Sequence, residues 1–149
     1  MPEVITDDTS CLIIFDKIGR SDLLKSLYGK ISITKEIEKE FGLHLPDWIV
    51  VQNHDNNSSQ LILEQTLDKG EASAIALALK YPNCSVILDD LKARKIASSL
   101  NIRIIGTLGI MLKAKQKGII SDLKPLIAEL QKSDFYISSS IIDSLLEDY

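Results

Sequence analysis

Residues Gly70–Lys80 (Gly-Glu-Ala-Ser-Ala-Ile-Ala-Leu-Ala-Leu-Lys) constrain the fold more than any other stretch. Ala is the strongest helix former, so an Ala-rich run of this length reads as a helix. From Glu71 one stripe continues at Ile75, Ala78 and Leu79, while Ala72, Ala74, Ala76 and Leu77 fill the other faces. A helix apolar nearly all round offers no face to water and lies inside the fold. Glu71 is thereby turned inward. A buried carboxylate without a partner is costly and takes up a proton instead, so Glu71 needs a cation, a donor or a metal nearby.

What surrounds this helix follows from the rest of the chain. Val4–Thr6, Ile31–Ile33, Trp48–Val51, Ser85–Leu88 and Arg103–Ile105 read as short strands. Ile31–Ile33 alternates, whereas Trp48–Val51 and Ser85–Leu88 are continuous apolar runs of the kind buried on both sheet faces. Helices are expected over Cys11–Ile18 (capped within Asp7–Ser10 and closed by Gly19), Arg20–Leu27, Thr34 to about Phe41 (ended by Gly42), Gln60–Leu67 and Leu91–Leu100. Gly106-Thr107-Leu108-Gly109 reads as a tight turn into a helix that ends at Gly118. Leu123–Leu130 and Ile141–Leu146 complete the helices, with Phe135–Ile137 as a short edge strand between them. Strands alternating with helices mean an α/β fold with a mostly parallel central sheet. In such sheets, function gathers outside the carboxyl ends of the strands.

The chain has 149 residues, which is the length of one domain, and no repeat or linker divides it. A hydrophobic fraction of 45% with 26% charged residues excludes intrinsic disorder. The net charge of −4 argues against binding to nucleic acid or membrane by bulk charge, but leaves room for a local site. Cys11 and Cys84 have no zinc spacing and form no disulfide framework. The N-terminus lacks the features of a signal peptide, and the apolar stretches near Ala74–Leu79 and Cys11–Phe15 are too short to span a bilayer. A cytoplasmic protein with no membrane partner is expected.

Carboxylates mark the strand ends. Asp7 and Asp8 follow the first strand, Asp89 and Asp90 follow Ser85–Leu88, and Glu71 opens the Ala-rich helix. Taken singly, each Asp is accounted for as an N-cap, and Asp68 with Glu71 fits a capping box. Glu40 lies about 60° around its helix from Ile37, at the edge of the inward stripe, with Glu36 one turn earlier. Taken together, four acids from four segments can meet at one sheet edge. Like charges so placed raise one another's pKa unless a cation neutralises them. A hard divalent ion with oxygen ligands does so, and its natural chemistry is hydrolysis of a phosphate ester.

The stretches that carry these acids are Val4-Ile5-Thr6-Asp7-Asp8-Thr9-Ser10, Ile37-Glu38-Lys39-Glu40-Phe41, Leu67 to Ala78, and Ile87-Leu88-Asp89-Asp90-Leu91-Lys92-Ala93-Arg94. Gly106-Thr107-Leu108-Gly109 and Ala114–Ile120 follow them in the chain. In this order they resemble the PIN-domain superfamily of metal-dependent ribonucleases, most of all a small prokaryotic branch found beside toxin–antitoxin genes. The resemblance covers nearly the whole chain. It implies a PIN-like three-layer α/β/α fold with a mostly parallel sheet of about four to five strands. It also implies an endoribonuclease that hydrolyses RNA phosphodiesters with Mg²⁺ or Mn²⁺, an antitoxin partner and a homodimer. Carried over by position, the motif's acids fall on Asp8, Glu40, Glu71 and Asp90, with Asp89 as the alternative to Asp90. Where the family commonly has Pro, this chain has Cys11.

Other residues have two readings each. Thr9 and Ser10 either support the metal carboxylates or cap a helix. Thr107 either presents backbone N–H groups to a phosphate or simply follows a glycine-eased turn. Arg94 either pairs locally with Asp90 or meets substrate phosphate. Lys92, Arg94, Lys95 and Arg103 form a local basic edge. His44 and His54 stand alone, and Trp48 reads as core. Two rival functions remain: a phosphoacceptor receiver domain, and a PIN-like domain that only binds a partner. A receiver needs a Lys ending its last strand, and no strand here ends in Lys.

Overall fold

The computed structural model describes residues 4–6, 15, 22–42, 44–52, 58–81 and 83–132. Five strands are present: β1 (Val4–Thr6), β2 (Ile31–Thr34), β3 (Ile49–Gln52), β4 (Ser85–Ile87) and β5 (Arg103–Ile105). The described helices are α1 (Asp22–Tyr28), α2 (Lys35–Phe41), α3 (Ser58–Leu63), α4 (Lys69–Leu79), α5 (Leu91–Ser99), α6 (Thr107–Gln116) and α7 (Lys124–Lys132). The strands form one sheet in the order β3-β2-β1-β4-β5, and every pairing is parallel. Helices flank it in a three-layer α/β/α arrangement. The expected helices over Cys11–Ile18 and Ile141–Leu146 and the expected strand Phe135–Ile137 lie outside the described residues, apart from Phe15, which is fully buried.

This order has one reversal. The chain builds outward from β1 to β3, then crosses back to place β4 on the other side of β1. Thr6 is level with Ile87, and Ile87 with Ile105, so β1, β4 and β5 end at one height. The crevice outside those ends is where open α/β sheets bind ligands. A receiver domain has the strand order 2-1-3-4-5, so the observed order disfavours that rival.

Local chemistry accounts for the elements nearest the crevice. Thr34 ends β2 and caps α2, its hydroxyl accepting from the Ile37 N–H at 3.2 Å. Such a cap is worth about 1 kcal/mol. Gly42 closes α2 at φ 65°, a left-handed conformation that glycine adopts without strain. α4 is buried at every position from Gly70 to Ala78, as its all-round apolar surface requires. It packs against β1, β2, β4, α2 and α3. Full burial of Ile75 and of Leu77 contributes about 1.5–3 kcal/mol each. α4 runs back towards the start of β4, so its N-terminus stands at the carboxyl edge of the sheet.

Three sequence expectations change here. Trp48–Val51 was expected to be buried on both faces, but β3 is an edge strand and only Ile49 is buried, the rest being half-buried. Ile31–Ile33 alternates in sequence, yet all four residues of β2 are buried, because β2 has a strand on each side and helices over it. Gly106–Gly109 is not a separate turn: Gly106 is the N-cap of α6, and the helix starts at Thr107. Leu23, Leu24 and Leu27 share the buried side of α1, as their spacing predicts. Among the described residues, no helix is long and apolar enough to cross a membrane.

Candidate functional site

Glu71 is the third residue of α4 and is 8% exposed. Its N–H donates to Asp68 Oδ1 at 2.8 Å, and its own carboxylate accepts the Asp68 N–H at 3.4 Å. The capping box is therefore formed. It does not give Glu71 a counter-charge. Burial pushes the Glu71 carboxyl up from 4.5 to about 7, and the negative charges of Asp68 and Asp90 add to the rise. The bond from the Asp68 backbone works the other way but is outweighed.

Asp90 is the N-cap of α5 and accepts the Ala93 N–H at 2.9 Å. The cap function and the closeness to Glu71 coexist, since one carboxylate oxygen is enough for the cap. Glu40 comes from α2 to the first turn of α4. Its two carboxylate oxygens lie 2.8 Å from the point a Cβ would occupy on Gly70. Gly70 leaves open the space in which that carboxylate rests, next to Glu71 in the chain. The first turn of α4 thus has Glu40 beside Gly70 and the charges of Asp68 and Asp90 acting on Glu71, four acids from three segments. Glu36 stands one turn before Glu40. Its Oε1 accepts from Gln60 Nε2 at 3.4 Å, and its Oε2 is buried without a hydrogen bond among the described residues.

Asp89 does something different from its neighbour. Its Oδ1 accepts the Thr107 N–H at 2.8 Å, and its Oδ2 accepts the Thr107 hydroxyl at 2.5 Å. It caps α6 from outside, where Gly106 has no side chain to do so. Thr107 is fully buried, and its N–H is committed to Asp89 rather than open to a phosphate. Of the two readings of Thr107, the structural one accounts for its N–H and hydroxyl, both of which serve Asp89. Of the Asp89–Asp90 pair, Asp90 is the one whose charge acts on Glu71.

Arg94 is half-buried, and its Nη1 lies 3.1 Å from where a Gly106 Cβ would stand, with Asp89 Oδ1 at 3.0 Å from the same point. The guanidinium is therefore drawn to the β5–α6 junction. Lys92, Lys95 and Arg103 are exposed. His44 is exposed, and Trp48 packs against the core. Cys84 is a buried free thiol whose pKa burial raises. Asp8, Thr9, Ser10, Cys11 and His54 lie outside the described residues.

Two participants escape a reading of the sequence. Gly70 was legible only as a glycine where Ala would favour the helix more. Ser73 was legible only as a lone hydroxyl in an apolar run.

Among the described residues, no three His, Cys, Asp or Glu side chains are grouped as ligands of one ion. The donor chemistry nonetheless fits a hard divalent cation. The acids offer oxygen only, and the charges of Asp68 and Asp90 add to the rise of the Glu71 pKa, which a cation there would reverse.

A family model described as a PIN domain matches residues 4–149. No curated protein and no solved structure gives a significant match. The match runs through all five strands and through every acid discussed above, and the parallel three-layer sheet agrees with it. The chain belongs to the PIN-domain superfamily and carries its nuclease-type fold.

Proposed function

We propose that this protein is a metal-dependent endoribonuclease that hydrolyses RNA phosphodiester bonds, and that it is the toxin component of a toxin–antitoxin pair. The observation that carries the reading is Glu71, a buried carboxylate whose charged neighbours among the described residues are other carboxylates and whose pKa is pushed up to about 7. A merely structural acid would be given donors, as Asp89 is. Membership of the PIN superfamily supports the same reading.

Asp8, Glu71 and Asp90 would hold Mg²⁺ or Mn²⁺, with Glu40 assisting, while both carboxylate oxygens of Asp89 stay with Thr107. Such an ion, when bound, acidifies a water and neutralises charge that develops on the phosphate. The chain's own groups supply the remainder. Glu71 is buried and the exposed Asp90 acts on it, so a cation placed between them would relieve the repulsion and draw the Glu71 proton off. Glu40, on an exposed residue, presents Oε1 and Oε2 beside Gly70 and is the group suited to receive a proton from water. Arg94 and the exposed Lys92 and Lys95 give the RNA backbone a local positive edge that the net charge of −4 does not. Thr9 and Ser10 would steady Asp8. An antitoxin and a second copy of the chain complete the reading as partners, and the place of action is the cytoplasm.

The test is cleavage of a mixed-sequence RNA by the purified chain in Mn²⁺ or Mg²⁺. Cleavage should disappear with chelator and in Glu71→Gln. Undiminished cleavage by Glu71→Gln contradicts the assignment. Copurification with an expressed neighbouring gene product, and release of activity on its removal, tests the antitoxin pairing.

A further inference from the structure

Thr34 and Ser73 are fully buried hydroxyl residues, and they stand between the helix that carries Glu40 and the helix that carries Glu71. Their Oγ atoms are 2.6 Å apart. Ser73 Oγ donates to the Gly70 carbonyl at 2.8 Å. A hydroxyl has one proton, so the proton shared between the pair comes from Thr34. Thr34 Oγ1 in turn accepts the Ile37 N–H at 3.2 Å. The bonds therefore run in one direction, from the Ile37 N–H through Thr34 and Ser73 to the Gly70 carbonyl, and such chains reinforce one another.

The two ends of this chain are the relevant places. One is the first turn of α2, the helix that bears Glu40. The other is Gly70, against which the Glu40 carboxylate rests and which precedes Glu71. α2 has seven residues and is too short to hold its own position. Apolar side chains could fill the same volume without fixing a direction, whereas buried hydroxyls are tolerated only when paired. We infer that Thr34 and Ser73 are positioning residues that set the placement of Glu40 relative to Glu71. The inference rests on the metal-binding reading above.

The experiment compares Mn²⁺ affinity, measured by titration calorimetry, for the wild type, Ser73→Ala, Thr34→Val, Thr34→Ser and Ile33→Val. Ser73→Ala leaves the cap of α2 in place, so it isolates the link between helices if Thr34→Val fails to fold. Thr34→Ser restores the hydroxyl. Ile33→Val thins the buried core of the same strand without touching the hydroxyls, and so controls for lost stability. Ser73→Ala and Thr34→Val should weaken Mn²⁺ binding about fivefold to tenfold, with Thr34→Ser within about twofold of wild type and Ile33→Val unchanged. Wild-type affinity in Ser73→Ala, or a loss matched by Ile33→Val, overturns the inference alone. A wild type that binds no Mn²⁺ overturns the metal reading and the inference with it.

Discussion

The starts of α4 and α6 stand at the same edge of the sheet, and each has a glycine in or before its first turn and a carboxylate close by. They use those carboxylates in opposite ways. At α6, Asp89 meets both an N–H and a hydroxyl of Thr107. At α4, Glu71 meets the Asp68 N–H and otherwise faces Asp68 and Asp90. The first acid is satisfied by the fold. The second is pushed up to about 7, and no positive neighbour among the described residues brings it down. What separates the two acids is the company each keeps, donors at Asp89 and other carboxylates at Glu71.

Four perturbations break or sharpen this contrast. The largest effect is expected for Glu71→Gln. Metal-dependent RNA cleavage should fall by more than the roughly 100-fold that losing an outer support of a metal site costs. Single-turnover cleavage rates measure it.

Asp89→Ala comes next and acts on stability instead. It strands the buried Thr107 hydroxyl and N–H, and should lower stability by about 2–3 kcal/mol in denaturant unfolding. If Asp89→Ala unfolds no more easily than wild type, the contrast between the two acids is lost.

The third is pH. Glu71 titrates at 4.5 in the unfolded chain and at about 7 when folded, so the folded state binds more protons between these values. Metal-free stability should therefore fall as pH rises from 4.5 to about 7 and level off above. After allowance for screening, the drop is on the order of 1–2 kcal/mol. It should vanish in Glu71→Gln, which urea midpoints across this range would show.

The smallest stability effect belongs to Gly70→Ala. The new methyl would lie 2.8 Å from the Glu40 oxygens, which sit at the end of a flexible side chain and can move aside. Helix propensity then raises stability by up to about 1 kcal/mol. Mn²⁺ affinity should nevertheless fall, and calorimetry alongside thermal melts separates the two.

The elements whose limits depend on neighbours in sequence were legible from it. α2 is bounded by Thr34 and Gly42, and the start of α4 by Asp68 and Glu71, because capping spans three or four residues. The contacts that give the site its character span more of the chain. Asp89 and Thr107 are 18 residues apart, and Thr34 and Ser73 are 39 apart. No periodicity records such pairings. The sequence therefore showed an acid pair at Asp89-Asp90 without showing which member turns towards Glu71. It also showed a glycine in Gly-Glu-Ala without showing that Glu40 fills the space beside it. Burial of β3 was overestimated for a related reason: an apolar run does not reveal that its strand lies at the edge.

Thermal stability against Mn²⁺ concentration, in wild type and Glu71→Gln, tests the central claim without any choice of RNA. Mn²⁺ at about 100 times its dissociation constant should stabilise wild type by roughly 2.7 kcal/mol. For a chain of this size that is a rise of roughly 5–10 °C in Tm. The account predicts that this increment appears in wild type and shrinks sharply in Glu71→Gln, whatever the substitution does to the metal-free protein. An equal increment in both would make Glu71 a capping residue and contradict the account.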